Sequence, residues 1–340
     1  LPGRSVRPAL RRLSLILRES LFPVGRAGPL GAGGSVGYVE GMAMAFHPEG
    51  IITALLTPFR EDESLDEAAL VVRLREQAAA GVHGIMVGGV SGEYVNLTPD
   101  ERERLVREAT AVLRGACPVV AGILEPHTRA AIHAAVRAEE AGASALLVLT
   151  PFHNLPTMAG VVAHFRAVHD ATRLPIILYN NPGRTGIDLD HGAFAELAAL
   201  PRIVGVKECR RDLGVVSEQI RRAPPGFAVL SGEDDLAFLT FLLGGKGAIL
   251  TSANVIPHVW MDLWRCAQRG EVPKGIELHH RMMPLINAVY TRNHPHPIKR
   301  AMALAGRPVG PARPPLLAPD PAQESAIRAA LVELGLAAPA

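Results

Sequence analysis

The chain has 340 residues, 48% of them apolar, and a formal net charge of +2 at pH 7. Near-neutral charge with 4% aromatic residues leaves no electrostatic footprint for nucleic acid, and no apolar run approaches the roughly 20 residues that a membrane-spanning helix needs. Three cysteines (Cys117, Cys209 and Cys266), widely spaced and without CxxC, suit a reduced, cytoplasmic type of protein better than a disulfide framework or a zinc site.

Residues 1–45 differ in composition from the rest of the chain. They are rich in Arg, Gly, Leu and Ser, with Glu19 and Glu40 as the acids, and Leu10 to Leu21 has the pattern of a short basic amphipathic helix. Two readings fit: an over-long start with Met42 or Met44 as the true beginning, or an organelle import segment. Either way this stretch is expected to be a disordered extension outside the fold.

From Ile51 onward, short apolar runs bounded by Gly or Pro alternate with stretches of helical period. The expected strands are Ile51–Thr57, Gly84–Gly88, Pro118–Gly122, Ala145–Leu149, Pro175–Tyr179, Ile203–Lys207, Phe227–Ser231 and Gly247–Leu250. Helices are expected over Asp66–Ala80, Pro99–Arg114, Thr128–Ala141, Thr157–Thr172 and Asp234–Leu243. "LTPDERERL" carries a start signal: Thr98 as N-cap, Pro99 in the first helical position and Glu101 for a capping box. Strands alternating with helices predict an α/β fold, a TIM (β/α)8 barrel over residues 46–272, with a C-terminal helical extension over 273–340. An open doubly wound sheet would carry a Gly-rich phosphate turn after the first strand, where this chain has "TPFREDESLD".

In such a barrel the chemistry sits at the C-terminal strand ends. Lys207 ends the sixth strand, in a chain where only four of 35 basic residues are lysines. Ile203, Gly205 and Lys207 should share one face, with Gly205 leaving room for the lysine stem. An amine in a mainly apolar mouth would have its pKa depressed, and a neutral amine condenses with a ketone. The competing reading is an ion pair with Glu208 or a bound anion. Tyr179 ends the fifth strand, where a phenol can pass protons as a carbinolamine forms and collapses; the alternative is a rim plug. Arg184 follows, suited to a carboxylate or to a structural salt bridge. After the second strand, "VGGVSGE" offers Gly88, Gly89, Gly92 and Ser91 to an anion.

These pieces, with "TPF", "VSGEYVNLTPDE", "TPFHN", "ILYNNPGRTG", "VGVKE", "LSGEDD", "GGKGAILTSANV" and "HPHPIK" in the same order, resemble the dihydrodipicolinate synthase / N-acetylneuraminate lyase family of pyruvate-dependent class I aldolases. The resemblance implies Lys207 as the imine lysine and Tyr179 as the proton-transfer phenol. It also implies a substrate-binding set of Ser91, Val90, Gly89, Arg184, His153 and Leu250. "NNPGRTG" resembles the synthase branch, where the arginine meets a semialdehyde carboxylate. No cofactor is expected, and no metal, since the histidines are not grouped at strand ends; the family further implies 2-oxo acid and aldehyde substrates, and a homotetramer built from tight dimers with His153 near the dimer contact.

Two positions depart from the synthase pattern. Val90-Ser91 stands where synthases have two hydroxyl residues, and His153 stands where they have a tyrosine from the neighbouring subunit. The hydroxyl relay through Tyr179 is therefore interrupted, and proton delivery passes to His153, Ser91 or a water, with Tyr94 a further candidate from the same loop. An aldolase or dehydratase of a different 2-oxo sugar acid is the alternative reading. A silent 2-oxo-acid binding protein is the alternative of another class. The thirteen histidines are scattered, the His294-Pro295-His296 stretch is expected to lie beyond the barrel, and Cys209 reads as a rim residue.

Overall fold

The computed structural model describes residues 46–338, so the expectations for residues 1–45 lie outside the described residues. Eight parallel strands close into a barrel in sequence order, β1 pairing with both β2 and β8. They are β1 (Gly50–Ala54), β2 (Gly84–Val87), β3 (Val119–Ile123), β4 (Ala145–Leu149), β5 (Ile176–Asn180), β6 (Ile203–Glu208), β7 (Ala228–Ser231) and β8 (Gly247–Leu250).

Each strand is buried on two faces, which is why it reads as an unbroken apolar run. In β4, Ala145, Leu147 and Leu149 point into the barrel, while Leu146 and Val148 join the outer shell beneath the helices. Fully burying one such leucine is worth roughly 1.5–3 kcal/mol. The inner layer also takes Ile52, Met86, Val120, Ile177, Leu230 and Ile249, so the barrel is a filled core with chemistry left to its rim.

The strand-helix alternation continues to the helix Pro257–Arg269, followed by Val272–Val289, His296–Leu304 and Pro321–Glu333. Leu285, Val289, Ile298, Ile327 and Leu331 of these last helices belong to the same apolar shell as the barrel helices. No helix among the described residues is long and apolar enough to cross a membrane.

Local expectations fail where tertiary contacts capture the backbone. β1 ends at Ala54 rather than Thr57, because the Leu56 N–H donates to the Asn254 side chain at 3.1 Å and the Thr57 hydroxyl donates to the Gly92 carbonyl at 2.6 Å. The helix expected from Asp234 begins at Ala237, since Asp234 accepts hydrogen bonds from Ser252 and Tyr290. Ile203 does not share the face of Lys207. A register shift opposite Ile176/Ile177 skips Val204, and Ile203 packs in the outer shell. The capping box over Thr98 and Glu101 forms as expected, and Glu101 is also gripped by Arg313 from the C-terminal segment.

Candidate active site

The barrel mouth opens into a cavity of about 1000 Å³ bounded by the strand ends and the loops beyond them. Tyr179 and Lys207 are direct register partners on β5 and β6, so both reach the mouth at one level. The Lys207 Nζ lies 4.4 Å from the Tyr179 ring centroid, and both side chains are almost wholly buried. The Tyr179 oxygen accepts a hydrogen bond from the Asn181 amide at 3.1 Å.

Burial disfavours the Lys207 ammonium, but the groups around it, Tyr179 foremost, favour it more and hold the proton above the usual lysine range. This corrects the expectation of a depressed amine, because groups that favour a cation line the mouth. Glu208 is not the partner of Lys207. One residue further along the strand it turns the other way, accepting from the Arg210 backbone at 2.9 Å and from Asn180 at 3.0 Å. The glycine that makes room for the lysine is Gly232, where an added Cβ would lie 2.8 Å from the Lys207 Cε and against the Cys209 sulfur. Gly205 instead admits the Ala228 carbonyl of β7, 2.6 Å from where its Cβ would be. Cys209 lines the cavity as a thiol, its pKa pushed far up by burial.

Across the mouth, Ser91 from the loop after β2 meets Thr251, the residue following β8, with oxygens 2.5 Å apart. Ser91 also lies 3.0 Å from the Nε2 of His294. His294 therefore does not lie beyond the barrel: the connection between Val272–Val289 and His296–Leu304 returns it to the mouth. Its ring stacks on Tyr290 at 5.2 Å, and Tyr290 donates to Asp234 at 2.5 Å. His296 turns away, its Nδ1 3.2 Å from the Leu316 carbonyl.

Val90 and Arg184 also line the cavity, and Arg184 makes no ion pair among the described residues. Three expected substrate contacts do not line it. Leu250 faces the outer shell, because alternation along β8 points Ile249 inward instead. Gly89 is buried beneath the loop against Met86. His153, at φ 72°, is exposed on the loop after β4, outside its own chain's cavity. Tyr94 is no relay candidate either: its hydroxyl donates to Glu125 at 2.8 Å and Arg102 stacks 3.8 Å over its ring. It lines a separate cavity of about 300 Å³ that holds neither Lys207 nor Tyr179.

Thr251, Tyr290, His294 and Asp234 were missed from sequence. Thr251 directly follows a strand, so the strand-end rule could have found it. No strand-end signal marks Tyr290 or His294, which reach the mouth only through the path of the C-terminal helices.

A closed parallel barrel that carries a buried lysine near the end of its sixth strand, beside a tyrosine near the end of its fifth, has the layout of an imine-forming class I lyase. The sequence model of the Dihydrodipicolinate synthetase family matches residues 47–334, and the chain belongs to that family. It is 37% identical over 295 residues to the 4-hydroxy-tetrahydrodipicolinate synthase of Methanopyrus kandleri, covering 86% of this chain and 98% of the relative. To the enzyme of that name from Rhodospirillum centenum it is 39% identical over 287 residues, covering 84% and 98%. Among solved structures, dihydrodipicolinate synthase from Aquifex aeolicus superposes with a TM-score of 0.82 at 32% identity, over 85% of this chain and 98% of that one. The chloride-inhibited dihydrodipicolinate synthase from Acinetobacter baumannii, solved with pyruvate, gives 0.82 at 31% identity, over 85% and 99%.

Proposed function

We propose that Lys207 forms an imine with a 2-oxo acid such as pyruvate, and that the chain is a lyase joining that acid to an aldehyde or splitting the product. The placement of Lys207 beside Tyr179 in the buried mouth carries this reading. The lysine nitrogen adds to the ketone carbon, the carbinolamine loses its oxygen as water, and the iminium remains. Loss of a proton from the adjacent carbon gives an enamine, whose carbon attacks the aldehyde carbonyl. Water then hydrolyses the new iminium and restores the amine. Tyr179 is the phenol within reach of the protons exchanged at the carbinolamine. Ser91 offers a hydroxyl to the 2-oxo acid carboxylate, and the fork of Arg184, in no ion pair among the described residues, suits a carboxylate on the aldehyde partner.

Reduction with borohydride in the presence of pyruvate tests this. The expected result is a Lys207 peptide heavier by one pyruvate less one oxygen. No adduct, or an adduct on Lys246, Lys274 or Lys299, overturns the assignment.

Relatives named 4-hydroxy-tetrahydrodipicolinate synthase make the semialdehyde condensation the first activity to assay. Val90 favours a second reading, because it brings a methyl surface into the cavity where a relay hydroxyl is expected. On that reading the acceptor is a different aldehyde or a sugar acid, and a panel of both decides between them; a silent binder would turn over none. We further propose a cytoplasmic homotetramer of tight dimers, in which exposed His153 and Leu155 meet a second copy. Light scattering tests the assembly, and a relative described as a monomeric variant of this synthase makes that measurement necessary.

A further inference from the structure

His294 is buried, lines the cavity and belongs to no step assigned above. Its Nε2 lies 3.0 Å from Ser91 Oγ, while its Nδ1 is buried with no partner among the described residues. A buried N–H without an acceptor pays its full desolvation cost, so the ring hydrogen belongs on Nε2, which has one. Burial, reinforced by the positive charges of Arg184 and Lys207, pushes the imidazole pKa down to about 3. A single N–H is then present throughout the neutral range.

The consequence falls on Ser91. A serine hydroxyl has one hydrogen and two acceptor sites. His294 fills one of those sites, and the Thr251 hydroxyl, 2.5 Å away, can fill the other. What Ser91 then offers a ligand is its hydrogen, and a carboxylate can only accept. The opposite imidazole tautomer would draw that hydrogen away and turn serine lone pairs toward the anion. Thr251 and Tyr290 line the same cavity, and Tyr290 donates to Asp234. The Ser91 hydrogen can otherwise point to the Thr251 oxygen. With a carboxylate bound, the Ser91 and Thr251 hydrogens rotate while the heavy atoms stay in place.

We propose that His294 is a positioning residue for substrate recognition: by donating from Nε2 it keeps Ser91 Oγ a pure hydrogen-bond donor to the carboxylate of the 2-oxo acid. This rests on the imine reading above and adds to it the residue that sets affinity for the acid.

The test measures rate and half-saturating pyruvate for borohydride trapping on Lys207 in the full chain. The variants are His294→Phe, His294→Gln, His294→Asn, Ser91→Ala and the Ser91→Ala/His294→Phe pair. His294→Phe keeps the ring and loses the N–H, so half-saturating pyruvate should rise about tenfold or more, with the limiting trapping rate within about threefold. A glutamine amide nitrogen can occupy the Nε2 position and should restore affinity to within about threefold, whereas the shorter asparagine should not. Ser91→Ala should match His294→Phe, and the double variant should be no weaker than Ser91→Ala. Unchanged half-saturation in His294→Phe, or additive losses in the double variant, overturns the proposal. Should circular dichroism show His294→Phe unfolded, the Gln and Asn variants decide: Gln tighter than Asn supports it, and equal values overturn it. If the unaltered protein traps no pyruvate at all, the imine reading fails instead.

Discussion

Lys299 and Glu93 form an ion pair sealed from solvent on both sides, Nζ to Oε1 2.6 Å. Glu93 lies two residues beyond Ser91, with φ 58°, and its other oxygen accepts from the Arg313 backbone at 2.9 Å. Lys299 also donates to the Pro311 carbonyl at 2.8 Å. The pair thus ties the loop that carries Ser91 to the helix His296–Leu304, whose start lies two residues beyond His294. Burial draws the Lys299 pKa down to about 8 even beside its carboxylate. Such a pair is better explained by the geometry it imposes than by net stabilisation.

Removing one partner leaves a buried charge unmatched. Lys299→Met should cost about 3–5 kcal/mol, read from denaturant unfolding. Lys299→Met/Glu93→Gln, which leaves neither charge, should recover part of that loss. If the double variant is as unstable as Lys299→Met, uncompensated charge is not the cause.

Because the Lys207 proton is held above the ordinary lysine range, the free enzyme rests as an ammonium at neutral pH. Only the neutral amine attacks a ketone. The rate of borohydride trapping at low pyruvate should therefore climb as pH rises from about 6.5 to 9, without levelling off in between. A plateau near neutrality would show an amine already deprotonated.

Gly232→Ala places a methyl group 2.8 Å from the Lys207 Cε and against the Cys209 sulfur. Both distances are too short for an undisturbed contact, so the lysine stem must shift. Trapping should slow by about tenfold or more, since misplacing a reacting group by about 1 Å can cost far more than that. Full-speed trapping in a folded Gly232→Ala protein would show that the stem has space to spare.

Acid should loosen the clamp between the C-terminal segment and the helix Pro99–Leu113. Hydrogen bonds from Arg313, with further help from Thr98, hold the Glu101 pKa at about 2, against an ordinary 4.5. A folded-state pKa below the unfolded value contributes stability that is complete above the unfolded pKa and lost as pH falls through the folded one. The thermal midpoint of the unaltered protein should therefore fall between about pH 4.5 and 2 more steeply than that of Arg313→Ala. Parallel slopes would remove Arg313 as the cause.

Lys207, Tyr179 and Ser91 could be read from the chain because each lies at or just past a strand end, and strand ends follow from short apolar runs bounded by Gly and Pro. Leu250 and Ile203 were misplaced for a related reason. When both faces of a strand are apolar, its sequence does not say which side turns inward, and a single skipped residue changes the answer.

Local patterning determined the number of strands, their order and a lysine at the rim, since side-chain period and turn chemistry act over a few residues. Only the tertiary structure brought His294 over Ser91 and Lys299 under Glu93. These contacts span about 200 residues of sequence, and they depend on how the last helices pack against a barrel already closed.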